Sequence, residues 1–223
     1  VREPKRVACL LGSFAEVWQL AGGQVIATAD DAWEDFCLEL PEDAVNLGGT
    51  KHLSLELLLA AQPDFILAST NTRQNVEFRE TLEATGIPVA YFDVFDFEDY
   101  LRLLKICTDI TGCGDRYETY GTAVQQEIQQ VIEKSRLRLQ TREAPKVLFL
   151  RASASAVHVK NSEGVILGSM LKNLGCINIA DSDATLLENV SIERILEADP
   201  DHIFVVQQGD NAAGTREYVR QFL

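Results

Sequence analysis

Two glutamates, Glu56 and Glu193, occupy the same place in two nearly identical phrases, "SLELLLAAQPDFIL" (54–67) and "SIERILEADPDHIF" (191–204). Each phrase runs Ser, aliphatic, Glu, then Leu-x-Ala-x-Pro-Asp, and ends in a strand-like run. A carboxylate fixed twice in one chain suits docking on paired arginines, where charge complementarity sets register and speeds encounter. A second group could instead contact a small molecule: Arg73 and Arg151, His158, Lys160, Gln207, and the aromatics Phe14 and Trp33. Arginine's planar fork pairs with carboxylate, phosphate or catecholate oxygens, and an indole stacks on a flat ligand face. Solvated loop charges and partly buried core aromatics are the plainer readings of the same residues.

The elements that must hold these residues are readable in outline. Ser54 and Ser191 are N-cap residues, Pro63 and Pro200 stop the helices, and the aspartate after each proline opens a strand. The glutamate lies two positions after the serine, so the phrase is not a capping box, but the first-turn charge gains from the helix dipole. That local account explains both glutamates as well as docking does. Strands are expected at "RVACLL" (6–11), "QVIATA", "DFILAS", "PVAYFDV", "KVLFLRAS" and "CINIA", alternating with helices. The alternation implies α/β architecture with parallel sheets covered on both faces.

From Asp96 the texture becomes helical, through "FEDYLRLLKICTDITG" and a longer run ending near Leu139 before Pro145. The landmarks then repeat in order, Val7 to Ser54 in the first half and Val147 to Ser191 in the second. The expectation is two Rossmann-like lobes, 1–95 and 145–223, with a helical region at 96–144 containing one long backbone helix. Mouth loops would carry Ser13, Phe14 and Ala15; Trp33; Asn71, Thr72 and Arg73; Arg151; and Gln207 with Gln208. The second lobe reads as incomplete because the chain stops in the helix "TREYVRQFL", so a continuation beyond Leu223 is expected.

Twenty basic against 34 acidic residues give a net charge of −14, which excludes a nucleic-acid-binding surface as the main function. It also disfavours adhesion of the protein body to anionic lipid. No run approaches the roughly 20 apolar residues of a membrane-spanning helix. Five cysteines and no CxxC pair read as buried core thiols, without a complete disulfide set. His52, His158 and His202 lack metal-ligand spacing, so no bound metal or cofactor is expected, although His158 and Met170 are available as axial ligands to haem. "GCGDRY" lies between helices and is no dinucleotide loop, and neither a P-loop nor a GxSxG elbow occurs.

With two α/β lobes, one long helix and "S-[LI]-E-x-[LI]-L-x-A-x-P-D" in each lobe, the chain resembles the solute-binding proteins of ABC importers. The type is that of the vitamin B12 and ferric-siderophore receptors. "RVACLLGSFAEVWQLAGG" is similar to the family's opening strand and helix, and "KVLFLRASASAVHVKNSEG" to the start of its second lobe. The resemblance implies a monomeric, extracytoplasmic receptor without enzymatic activity, either periplasmic or a surface lipoprotein. It implies ligand binding between the lobes and docking on the permease through Glu56 and Glu193. Phe14, Trp33, Arg73, Arg151, His158, Lys160 and Gln207 are the cleft candidates. A ferric siderophore is the first expected ligand, then cobalamin, then haem. The rival of another class is a two-lobed enzyme such as a sugar-nucleotide transferase, which leaves the doubled Ser-x-Glu without a purpose.

Overall fold

The computed structural model describes residues 3–188, 190–209 and 211–222. It divides into two compact units, Val1–Gln126 and Glu127–Leu223.

Unit 1 alternates strands and helices: β1 (Val7–Cys9), α1 (Gly12–Leu20), β2 (Val25–Thr28), α2 (Asp31–Glu34), β3 (Val45–Asn46), α3 (Leu55–Ala60), β4 (Phe65–Ser69), α4 (Arg73–Glu77), α5 (Arg79–Thr85) and β5 (Val89–Phe92). The five strands are all parallel, in the order β3-β2-β1-β4-β5. One face of this sheet packs Val7, Cys9, Phe65 and Leu67 with α1 residues Phe14, Val17 and Trp18. The other packs Ala8, Leu10, Ile66 and Ala68 with Leu58 and Leu82. Each core strand is buried on both faces, which is why it reads as an unbroken apolar run. The helix expected over "NVEFRETLEATG" is two short helices, α4 and α5, meeting at Phe78 and closed by Gly86 in the left-handed region (φ 74°).

Next come α6 (Phe97–Thr111), α7 (Gly114–Tyr117), a π-helical turn (Glu118–Thr122) and α8 (Ala123–Leu139). Asp96 caps α6 and Gly112 closes it in the left-handed region (φ 76°). Leu103, Leu104 and Cys107 of α6 belong to the unit 1 core. The 96–144 region is therefore shared: α6 belongs to unit 1, and the division falls early in α8.

Unit 2 contains β6 (Lys146–Ala152), β7 (Val157–Lys160), α9 (Ile166–Asn173), β8 (Ile177–Asn178), a 3₁₀ turn (Ile179–Asp181), α10 (Ala184–Glu188), α11 (Ile192–Ala198), β9 (His202–Gln207) and α12 (Ala212–Phe222). Here the expectation of a purely parallel sheet needs correction. β8 and β9 run parallel to β6, but β7 is antiparallel to it. The tight turn of residues 153–156 folds the chain straight back, with the Ser153 N–H donating to the Ala156 carbonyl at 2.8 Å. A connection this short permits only an antiparallel neighbour. Among the described residues, β9 pairs with β6 alone, whereas its counterpart β4 pairs on both edges.

Candidate functional site

The repeated phrase is a sheet-locking device in both units. Ser54 Oγ accepts from the Leu57 N–H at 3.2 Å, and Ser191 Oγ from the Arg194 N–H at 3.4 Å. The helices end on residues with positive φ directly before the prolines, Gln62 (φ 49°) and Asp199 (φ 47°). Asp64 then accepts from the Lys5 and Arg6 N–H groups at 2.8 and 2.9 Å, and Asp201 from the Lys146 N–H at 2.8 Å. The side chains of Arg6 and Lys146 return to the carbonyls that end the preceding helices, Arg6 to Ala61 at 2.6 Å and Lys146 to Ala198 at 3.1 Å. Basic groups there satisfy orphan carbonyls and oppose the negative helix end. Thus Ser, Pro and Asp of the phrase, with the residue that opens each first strand, have structural tasks.

The glutamates contribute only their charge at the positive helix ends. Glu56 and Glu193 are exposed in the first turns of α3 and α11, and neither makes a side-chain hydrogen bond or ion pair among the described residues. A surface carboxylate without an internal partner is free to meet a cation on another molecule.

In open α/β sheets, ligands gather at the carboxyl edge where strand order reverses. In unit 1 that point lies between β1 and β4. It is bordered by the Gly12–Ser13 entry to α1 and by 70–73. Asp31 organises this edge: its Oδ1 accepts from the Gly12 N–H at 2.9 Å. A Cβ on Gly12 would come within 2.6 Å of the Ala32 backbone nitrogen, so only glycine permits this approach of α1 to α2. Burial pushes the Asp31 carboxyl above its ordinary pKa, the Gly12 N–H opposes that, and neighbouring Asp30 and Asp35 add to the rise. Unit 2 repeats the arrangement, with Asp181 Oδ1 accepting from the Ser162 N–H at 2.7 Å across the same separation of 19 residues.

The unit 1 candidates separate clearly. Phe14 is a core residue, 5% exposed, edge-to-face with Phe92 at 6.2 Å, which leaves it little surface for a ligand. The apolar stripe Phe14, Val17, Trp18, Ala21 at helical spacing carried that signal in the sequence. Trp33 is half-buried on α2. Arg73 opens α4, 92% exposed and paired with Glu77 at 2.7 Å, so its charge is engaged on its own helix. Asn71 is tied to Asp93 and, through its backbone, to Ser69.

In unit 2 the reversal lies between β6 and β9. It is bordered by the 153–156 turn and by Gln208, whose N–H donates to the Ala152 carbonyl at 2.7 Å. Gln207 is exposed, donates to Gly209 at 2.8 Å, and helps line a groove of about 400 Å³ with Val205, Thr215, Arg216, Val219 and Arg220. Arg151 on β6 lies directly opposite His158 on β7, and Lys160 opposite Phe149. Sequence reasoning named these residues singly and missed their pairing, although the alternation of "VHVK" places His158 and Lys160 on one side. His52 and His202 are exposed, and no group of three metal-ligating side chains occurs among the described residues.

The profile of the Periplasmic binding protein family matches residues 7–223, nearly the whole chain. The chain belongs to that family. This binding protein is therefore a transport component and not an enzyme, with a small-molecule ligand and an ABC permease as the partners its family implies. Its fold is similar to a periplasmic heme binding protein from Pseudomonas aeruginosa, at 20% identity and TM-score 0.75, covering 98% of this chain and 77% of that one. Staphylococcus aureus SirA complexed with staphyloferrin B gives 19% identity and 0.73 over 99% and 77%. S. aureus IsdE complexed with heme gives 12% and 0.71 over 96% and 80%. No curated protein matches the sequence. No helix among the described residues is long and apolar enough to cross a membrane.

Proposed function

We propose that this binding protein is the extracytoplasmic receptor of an ABC importer for an iron complex, with a ferric siderophore as its ligand. The observation that carries the reading is the doubled phrase with a partnerless glutamate in each unit. Of the residues the two phrases share, Ser, Pro and Asp are engaged in folding, while Glu56 and Glu193 make no side-chain hydrogen bond or ion pair among the described residues and are left for arginines on the permease. The carboxyl-edge loops, with Arg151, His158, Lys160, Trp33 and Gln207, engage the ligand. Staphyloferrin B in the SirA structure supports a siderophore. The protein acts in the periplasm or as a lipoprotein on the cell surface.

A second reading, haem, is favoured by the exposure of His158 and Met170, the latter at 56%, and by the two heme-binding proteins of similar fold. Cobalamin stands third.

A thermal-shift screen of ferric siderophores, haem, cobalamin and cobinamide decides among them. A ligand at a hundredfold excess over Kd stabilises the native state by ~2.7 kcal/mol. The expected result is a clear shift with at least one ferric siderophore. A shift with nucleotide sugars and with none of the metal complexes would sink the receptor reading.

A further inference from the structure

The repeat extends past the phrase. The spacing of 137 residues that carries Ser54 to Ser191 also carries "RETL" (79–82) to "REYV" (216–219), and the start of β4 to the start of β9. The two units can therefore be compared position by position along this stretch, and their burial differs. Ile66 and Ala68 of β4 are fully buried, whereas Ile203 and Val205, at the same places on β9, are 40% and 42% exposed. Leu59 of α3 packs against the unit 1 core, but its counterpart on α11, Leu196, is 72% exposed.

One element accounts for the difference. In unit 1, β5 lies on the outer edge of β4, with Val89 beside Ile66 and Tyr91 beside Ala68. The Arg79 guanidinium rests over the Tyr91 ring, 4.5 Å from its centre. In unit 2 the corresponding edge of β9 pairs with no strand among the described residues, and the groove of about 400 Å³ lies there, between β9 and α12. Its lining residues Val205, Val219 and Arg216 are the counterparts of Ala68, Leu82 and Arg79. Ala68 and Leu82 belong to the core that Val89 and Tyr91 close. A strand followed by a helix over a parallel sheet is the first part of a crossover, whose second strand lies parallel and adjacent to the first. β4, the α4–α5 pair and β5 form such a unit. β9 and α12 form its first two parts.

We propose that the groove between β9 and α12 seats a further strand, parallel to β9 and of the β5 pattern, which this chain's own polypeptide supplies after α12. The spacing of 137 residues places it at about 226–229. It brings an aromatic ring under Arg216, covers Ile203, Val205 and Leu196, and pairs the open backbone groups of β9. It also fixes a loop at the carboxyl edge. In unit 1 the Thr70 N–H donates to the Phe92 carbonyl at 2.9 Å, and the Asn71 side chain donates to Asp93, so β5 holds the loop after β4. Gln207 and Gln208 stand at those two places in unit 2 and are held in the same way. The proposal is independent of what the protein binds.

The test uses the protein isolated from the cells that make it. Peptide mass mapping should find polypeptide beyond Leu223, and hydrogen exchange should be slow at every amide of His202–Gln207 and at about 226–229. In the 223-residue chain, the β9 amides that face away from β6 should exchange fast. Arg216→Ser in the longer protein should speed exchange of the added strand several-fold and leave the β6–β9 ladder protected. Arg216→Lys should restore part of that loss, because a cation returns over the ring. A protein that ends at Leu223, or a longer one in which β9 keeps its fast amides, would overturn the proposal. So would protection of β9 that grows with protein concentration, the sign of a second copy at the edge. An added strand as well protected in Arg216→Ser as in wild type would break the correspondence with β5.

Discussion

At the residue scale, Asp31 shows how a single carboxylate organises a functional edge at some cost. Its Oδ1 holds the Gly12 N–H, but burial raises its folded pKa above the ordinary 3.8. Below that ordinary value Asp31 is protonated in both folded and unfolded chains and stability is unaffected. As pH rises from about 3.8 through the raised folded value, the unfolded chain ionises first and stability falls. Asp31→Asn keeps a carbonyl acceptor for Gly12 and removes the titration. Its stability relative to wild type should therefore rise across that window and level off above it. Asp31→Ala also removes the titration but leaves the buried Gly12 N–H unpaired, so it should lie about 1 kcal/mol below Asp31→Asn at every pH. Urea unfolding at a series of pH values checks both. Parallel curves for wild type and Asp31→Asn would show that the carboxyl titrates alike in both states.

At the element scale, the two sheets differ in how their strands are finished. β4 lies between β1 and β5, whereas β9 borders only β6 among the described residues. Successive N–H groups of a parallel strand point alternately to its two sides, so alternate amides across His202–Gln207 face away from β6. Hydrogen exchange should therefore be split along β9, with fast and slow amides alternating, and uniformly slow along Phe65–Ser69. Uniform protection of both strands would refute the asymmetry. Much of this layer is legible in the sequence, because buried parallel strands are unbroken apolar runs and Ser, Pro and Gly mark the helix ends. The hairpin is not. "VHVK" is four residues long, and the 153–156 turn alone decides that it runs antiparallel. The break at Phe78 was equally hidden, since no glycine or proline marks it. The site was less legible than the fold. The phrase announced Glu56 and Glu193, but Arg73 and Arg151 look alike in a sequence. Only the i,i+4 acid Glu77 separates an engaged arginine from an unengaged one.

At the scale of the whole molecule, a net charge of −14 attracts any basic partner at long range, so charge alone gives little specificity. Under the proposed docking, specificity comes from carboxylates at fixed places, Glu56 and Glu193 in the capped first turns of α3 and α11. Glu56→Arg with Glu193→Arg should abolish uptake of the ligand in cells that carry the permease. Affinity for the ligand, measured by titration of the purified variant, should stay unchanged. Loss of ligand affinity would move the two glutamates from docking to recognition.

The duplicated lock raises a problem of partner choice that has a solution in biosynthesis. Two similar aspartates, Asp64 and Asp201, each clasp the entry to a first strand, so β1 could in principle meet the wrong aspartate. The contacts of the first lock span residues 5 to 64, and those of the second begin at Lys146. During synthesis from the N-terminus, β1 has its own clasp long before its rival exists. A chain diluted from denaturant receives both aspartates at once and loses that protection. Order of emergence would then add to the difference between the two cores in keeping the copies apart.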